Sequence, residues 1–220
     1  MFLALKEMSR AKTRFGLLVA AIALLVFLIL FQQSLQNGLI TGFVGAIRNQ
    51  NAPVLVYSVD GQRVVQGSII TPDLEAELRS VDEIGEVSRL GQGTFTGTPA
   101  RAETTFDTTI IGYELGSDGE GLGAPAELVD GRYPTSELEA VASTGGDFEF
   151  ALGDTVVLQP GGFTVEVVGL ADDIQLNVAP TLFTSYDTWS SAVQSVNPDA
   201  GQPLPNVMVA APAEGVTDDE

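Results

Sequence analysis

The sequence predicts an α+β protein in which one N-terminal transmembrane helix with a stalk precedes an exported domain of mixed α+β structure with a β-rich insertion. Three observations predict this fold class. Residues Phe15 to Phe31 contain no charged or hydrogen-bonding side chain. Short β-prone runs separated by glycine follow this segment, and two amphipathic helical segments interrupt those runs.

The apolar run is long enough to anchor the chain in a membrane. At about 1.5 Å per residue it covers about 25 Å, and Gln32 to Leu35 extend the helix towards the ~30 Å of a hydrocarbon core. The alternative is a cleavable secretory signal, which also places an apolar run behind basic residues. The run exceeds the usual ~7 to 15 residues of such signals, and no small-x-small cleavage site follows it. We therefore expect an uncleaved anchor.

Basic residues predict the orientation of this anchor. Four bases and one acid precede the apolar run, and the next base is Arg48. Lysine and arginine close to a span stay in the cytoplasm, so the N-terminus is predicted to be cytoplasmic. The chain after about residue 36 is then predicted to lie outside the plasma membrane. The four topology-determining residues are Lys6, Arg10, Lys12 and Arg14.

The same patterns predict the domain boundaries. Residues 1–14 form a cytoplasmic basic segment, residues 15–36 the transmembrane helix and residues 37–49 a stalk helix. Leu39, Phe43 and Ile47 recur along the stalk at helical spacing. The remaining residues form one exported domain, and its predicted parts are a mixed subdomain of residues 50–90 with 200–220 and a β-rich insertion of residues 91–199.

Composition excludes several classes of function. Residues 32–220 carry six arginines, no lysine and 28 acids, a net charge of −22, and such a field repels nucleic acid. The absence of cysteine means that packing alone holds the exported domain. The absence of histidine removes histidine-based triads and imidazole metal ligands. No G-x-x-x-x-G-K-[ST] pattern for P-loop ATP hydrolysis occurs. We predict no enzyme activity, no cofactor and no metal site.

Local patterns place the elements of the exported domain. Thr71 is a good N-cap before Pro72, which predicts a short helix. Gly91 to Gly93 are expected to form a loop between two strands, and Gly112 to Gly123 a mobile acidic loop. The remaining predicted elements are a strand at 54–58, strands at 86–90, 94–98 and 105–113, a hairpin of 155–158 with 163–168, a helix at 186–196 and a last strand at 206–210.

Four segments carry a resemblance to a known family. In chain order they are Leu128 to Pro134, Glu139 to Ala142, Leu152 to Val156 and Phe163 to Leu170. Behind an N-terminal anchor, they resemble the MacB-type extracytoplasmic core domain of FtsX/MacB-like ABC transporter permeases. Within that family the chain is most similar to the haem- or glycolipid-export branch. The matching positions, expected to be structural, are Gly131, Arg132, Pro134, Gly153, Asp154 and Gly169.

The resemblance implies a permease subunit that couples ATP hydrolysis by a partner ABC ATPase to movement of its exported domain, for export. It also implies a second permease copy in a dimer, contact with the lipid bilayer, and a cargo that is unknown, with haem or a lipid-like molecule as candidates. Because such permeases have three further spans, the resemblance implies that the chain is a fragment. The alternative is a single-pass, membrane-anchored binding module without transport activity.

Overall fold

The computed structural model describes residues 12–101, 104–145, 150–213 and 215. The chain divides into two units, residues 1–40 and residues 41–220. In the first unit, the described residues belong to helix α1, Lys12–Arg48, which continues into the second unit. Every side chain from Phe15 to Phe31 is exposed. This helix is long and apolar enough to span a bilayer.

The second unit is built on a nine-stranded sheet. Its strands are β1 Val54–Tyr57, β2 Ile84–Pro99, β3 Phe106–Tyr113, β4 Asp130–Gly131, β5 Glu139–Ser143, β6 Thr155–Gln159, β7 Phe163–Ala171, β8 Thr181–Ser185 and β9 Val207–Pro212. Their spatial order is β1-β9-β2-β3-β8-β5-β7-β4, and β6 pairs with both β2 and β7. Among the described residues, the α-helices α2 (Pro72–Arg79) and α3 (Tyr186–Val196) accompany the sheet.

Six of these strands close into a ring. Strand β2 pairs with β3, β3 with β8, β8 with β5, β5 with β7, β7 with β6, and β6 returns to the far end of β2. Side chains alternate between the two faces of a strand. Accordingly Ile110 packs in one core with Leu158 and Val167, whereas Ile111 packs in a second core with Leu90 and Val209. Both faces of β3 are therefore buried.

Several predicted elements agree with the structure. The strand at 54–58 appears as β1, the hairpin as β6 and β7, and α3 has the predicted bounds 186–196. The hydroxyl of Thr71 accepts a hydrogen bond from the Leu74 amide, 3.4 Å away, at the start of α2, so its predicted capping role is confirmed. The last strand lies one to two residues later than predicted.

The loop predicted at residues 91–93 is wrong. Strand β2 runs without a break from Ile84 to Pro99. Gly91 pairs in register with Gly112 of β3, and the indole of Trp189 packs against the backbone of both glycines. These glycines leave space for an aromatic ring on the sheet. Glycine therefore occurs in a strand where another group approaches the backbone closely, as well as in turns.

The acidic loop predicted at residues 112–123 is a loop from residue 114 onwards, but it is held more tightly than predicted, because its glycines are buried at 119, 121 and 123. The Tyr113 hydroxyl donates to the Gly119 carbonyl over 3.0 Å. The Asn51 side chain donates to the Gly121 carbonyl (3.0 Å) and accepts from the Gly123 amide (2.8 Å). The acidic side chains of this segment are solvated, but its backbone is fixed to the core.

Candidate functional site

The last turns of α1 are bonded to the connection between β7 and β8. We call residues 173–178 of this connection the clamp. The Ala46 amide donates to the Gln175 carbonyl over 2.9 Å, and the Val178 amide donates to the Gly42 carbonyl over 2.7 Å. A third bond joins the Asn177 amide to the Phe43 carbonyl at 3.1 Å. In a regular helix the amide of Ala46 donates to the carbonyl of Gly42, four residues earlier. The clamp bonds to both of these groups.

Small residues allow this close approach. Gly42, Gly45 and Ala46 are the buried residues of α1. A Cβ at Gly45 would overlap the carbonyl oxygen of Asp173 and lie 3.0 Å from its carbonyl carbon. The same oxygen accepts a hydrogen bond from the Asn49 side-chain amide at 2.7 Å. The backbones of helix and clamp therefore touch directly, which requires glycine at position 45.

The clamp holds a strained backbone. Asp173, Asn177 and Val178 have positive φ values of 57°, 54° and 60°. The left-handed region is unfavourable for residues other than glycine, and most of all for a β-branched residue such as valine. Each such residue costs about 1 to 3 kcal/mol and persists only where surrounding contacts hold it. The bonds between the clamp and α1 supply such contacts.

The chain after α1 is joined to a second loop. The Asn51 amide donates to the Ala124 carbonyl at 3.0 Å, and the Ala126 amide donates to the Asn49 carbonyl at 2.8 Å. A cavity of about 410 Å³ lies beside these contacts, lined by Arg48, Asn49, residues 126–129, Asp172 and Asp173. Two loops therefore tie the end of α1 to the sheet, one of them leading directly into the central strand β8.

The predicted family-motif residues lie around β7, the strand that leads into the clamp. Gly131 pairs with Gly169 in register, and a Cβ at Gly169 would overlap the Arg132 carbonyl oxygen. The Gly153 amide donates to the Val167 carbonyl at 2.8 Å. The Asp154 carboxylate accepts from Arg101 Nε and from the Ala151 amide, both at 2.8 Å. Pro134 is buried.

Arg132 binds a carboxylate of its own turn. Its two terminal nitrogens each donate to one oxygen of Glu139, both at 2.7 Å. Arg132 therefore anchors its own turn to an acid. This bidentate bond lowers the pKa of Glu139 to about 2 against some opposition from burial, and the Thr135 amide lowers it further.

This depressed pKa predicts a defined acid transition. Glu139 titrates near 4.5 without its partners and near 2 with them. Its stabilising contribution is therefore complete above pH 4.5 and is lost as the pH falls through 2. The thermal unfolding midpoint, measured by circular dichroism, should change less with pH across that window in Glu139→Gln than in wild type. In the variant of the exposed neighbour, Glu137→Gln, the midpoint should keep the wild-type dependence on pH. Equal slopes for wild type and Glu139→Gln would contradict the assignment.

Of the four topology-determining residues, Lys12 and Arg14 lie in the first turn of α1. Lys6 and Arg10 lie outside the described residues. The clamp itself was missed by sequence reasoning. Its available signals were a glycine at position 45 of a predicted stalk and the Asp172-Asp173 pair, which follows the predicted strand at 163–168 after three residues.

Among solved structures, the periplasmic region of MacB from Actinobacillus actinomycetemcomitans is similar, with a TM-score of 0.51 and 18% identity over 78% of this chain and 79% of that one. The chain has a MacB-like fold. Because the identity is only 18%, this likeness establishes the fold alone. The MacB-type core domain expected from the sequence is thereby confirmed as a fold.

Two further structures are more loosely similar. The extracellular domain of YknZ, a noncanonic ABC-type transporter from Gram-positive bacteria, has a TM-score of 0.46 and 15% identity over 73% of this chain and 83% of that one. A domain of a permease protein from Porphyromonas gingivalis has a TM-score of 0.41 and 17% identity over 65% and 68%. No protein-family model matches the sequence, and no curated protein matches it either.

Proposed function

We propose that this chain is a permease subunit of an ABC transporter of the FtsX/MacB type. A partner ATPase hydrolyses ATP in the cytoplasm, and the resulting motion reaches the exported domain through α1. The observation that carries this proposal is the backbone bonding between the end of α1 and the clamp. Because carbonyls and amides of the helix bond directly to the β7–β8 connection, a displacement of the helix moves this connection with it.

The length of α1 supports the same proposal. Its 37 residues run without interruption from Lys12 to Arg48, which corresponds to about 55 Å at about 1.5 Å per residue. The predicted orientation puts the start of this helix at the cytoplasmic face, where the ATPase acts. The chain itself then needs no site for nucleotide.

The finer features of the proposal come from the family. A second copy of the permease completes the transporter, the direction is export, and the cargo is haem or a lipid-like molecule. Leu35 and Leu39 in the first unit are half exposed on α1, as is Phe43 in the second. Exposed apolar residues at helical spacing suit contact with another helix, and this supports the dimer.

Purification from native membranes in mild detergent tests the function. We expect an ATPase subunit to copurify in stoichiometric amounts, and we expect ATP hydrolysis by the complex to exceed that of the isolated ATPase. Sequencing downstream of the coding region should find three further apolar segments of about 20 residues each. Recovery of the chain without an ATPase, and without such segments downstream, would favour the single-pass binding module.

A further inference from the structure

A groove of the second unit lies between α2, the start of α3 and the segment before β9. It consists of two adjoining cavities of about 500 and 210 Å³ that share Arg89, Tyr186 and Gln202. Together these volumes are in the range of known ligand sites. Neither cavity includes a clamp residue. We call the pair the Arg89 groove.

A buried carboxylate, Glu75, is held beside the Arg89 groove by two partly exposed arginines. Arg89 Nε lies 3.0 Å from both carboxylate oxygens of Glu75, and Arg79 Nε lies 3.0 Å from one of them. The Arg89 guanidinium carbon also lies 6.0 Å from the centre of the Tyr186 ring. Burial opposes ionisation of Glu75, but the two arginines outweigh it and lower its pKa. Burial raises the pKa of Tyr186 to about 12.

One end of the Arg89 groove is apolar. Pro72 and Ile70 line one wall, and Pro203, Leu204 and Pro205 line the other. The Ile70 amide donates to the Pro205 carbonyl at 2.9 Å, which holds the two walls together. Ile70 is buried, but Leu204 is 43% exposed. Neighbouring Ile69 is 58% exposed, and exposed aliphatic side chains beside a rigid groove are typical of an interaction site.

The other end is negatively charged. Glu114, Glu137 and Asp187 line the larger cavity, where Arg89 is its one cationic lining residue. The guanidinium of Arg89 pairs with Glu75 and also lies 3.8 Å from Glu114, and Arg79 lies 3.8 Å from the other oxygen of Glu114. Glu114 is thereby partly neutralised, and Glu137 and Asp187 give this end its negative charge. A ligand that complements the whole groove therefore has an aliphatic part followed by positive charge.

We propose that the Arg89 groove binds an extended segment of a partner protein, with an aliphatic side chain between the proline-lined walls and a lysine or arginine beside Glu137 and Asp187. The net charge of −22 after residue 31 draws a basic partner towards this surface. The prolines and the hydrogen-bonded walls fix the groove before binding, which lowers the entropic cost of association. This inference is independent of the transport function.

Peptide binding to the full chain in detergent tests the proposal. The probes are a labelled acetyl-Leu-Pro-Lys-Lys amide and its acidic counterpart, acetyl-Leu-Pro-Glu-Glu amide, followed by fluorescence anisotropy. Trp189, the single tryptophan, has its ring 5.1 Å from that of Tyr186 and provides a second signal. We expect the basic probe to bind and to change the tryptophan emission, and we expect the acidic probe not to bind.

Matched variants locate the binding. The double substitution Glu137→Gln with Asp187→Asn should raise the Kd of the basic probe at least tenfold. The control pair Glu127→Gln with Asp107→Asn removes the same charge from exposed positions that line neither cavity, and it should leave the Kd unchanged. An equal loss of affinity in both variant pairs, or no binding of the basic probe at millimolar concentration, would overturn the proposal.

The groove could instead hold a second copy of the chain. If the chain self-associates, and if Glu137→Gln with Asp187→Asn abolishes this self-association, the occupant is a second copy and the proposal is overturned.

Discussion

Gly91→Ala is expected to destabilise the second unit by about 3 to 5 kcal/mol, comparable to the loss of a large buried aromatic side chain. A Cβ at this position would overlap the Trp189 ring, which is only 2% exposed. The indole must then leave its place on β2 and β3, and the core that contains Ile110, Leu158 and Val167 loses its contact with α3. Because a domain of this kind has about 5 to 15 kcal/mol of total stability, the effect is a large fraction of it. Chemical denaturation followed by circular dichroism measures the loss.

A double-mutant cycle separates this clash from any general effect of alanine. In a Trp189→Ala background the space above the two glycines is empty, so the added methyl group at position 91 should cost far less than in wild type. Gly67→Ala provides a control elsewhere, since its nearest neighbour would lie 3.5 Å away. The same cost for Gly91→Ala in both backgrounds would show that the tryptophan is not the reason for this glycine.

Gly45→Ala is expected to detach the clamp from α1. The new methyl group overlaps the Asp173 carbonyl oxygen, and backbone has little freedom to move away. Overpacking of this kind costs about 1 to 3 kcal/mol, although the helix itself gains about 1 kcal/mol from replacing glycine. The larger effect is local. Amide hydrogen exchange at Ala46, Asn177 and Val178 should accelerate strongly, because these amides form the bonds between helix and clamp.

Gly42→Ala is the matched control for this substitution. It lies in the same helix one turn earlier, and its Cβ would make an ordinary contact of 3.6 Å with Val178. It should therefore keep the slow exchange of the three amides while gaining the same helix propensity. Slow exchange in Gly45→Ala as well would mean that the clamp tolerates a side chain at this position, and that the close approach is not essential.

The sequence predicted the elements whose signals are local. The α3 helix begins after Ser185, whose hydroxyl accepts from the Thr188 amide at 3.0 Å, and it ends before Asn197-Pro198, as the restriction on residues preceding proline requires. The β6–β7 hairpin follows from a proline- and glycine-containing turn between two β-prone runs and from alternation in the second run. Such signals lie within a few residues of the element that they define.

Signals that depend on tertiary contacts were misread. Gly91 and Gly93 look like loop residues, but they lie in β2. Trp189, almost a hundred positions later, occupies the space above Gly91, and the Phe95 ring lies closest to Gly93. Likewise, the glycines of the acidic segment are fixed by Tyr113 and Asn51. Glycine marks either a turn or a close approach, and periodicity alone does not distinguish these two uses.

The candidate site was the least predictable feature. The stalk pattern drew attention to Leu39 and Phe43, which are half exposed, whereas the clamp contacts the opposite type of residue, Gly42, Gly45 and Ala46. The clamp has no hydrophobic periodicity, and its hydrogen bonds to α1 are made by the backbone. Backbone bonding between segments 130 residues apart leaves little trace in side-chain composition.

The proposed function requires motion of α1 to reach the second unit through the clamp. The most direct test is a spin-label distance between two copies, with Asp199→Cys as the label site, since the chain has no other cysteine. In the ATPase complex, we expect the distance distribution to change during ATP turnover in wild type and in Gly42→Ala, and to stay constant in Gly45→Ala. A distribution that does not respond to turnover in wild type, or that responds equally in Gly45→Ala, would contradict the account.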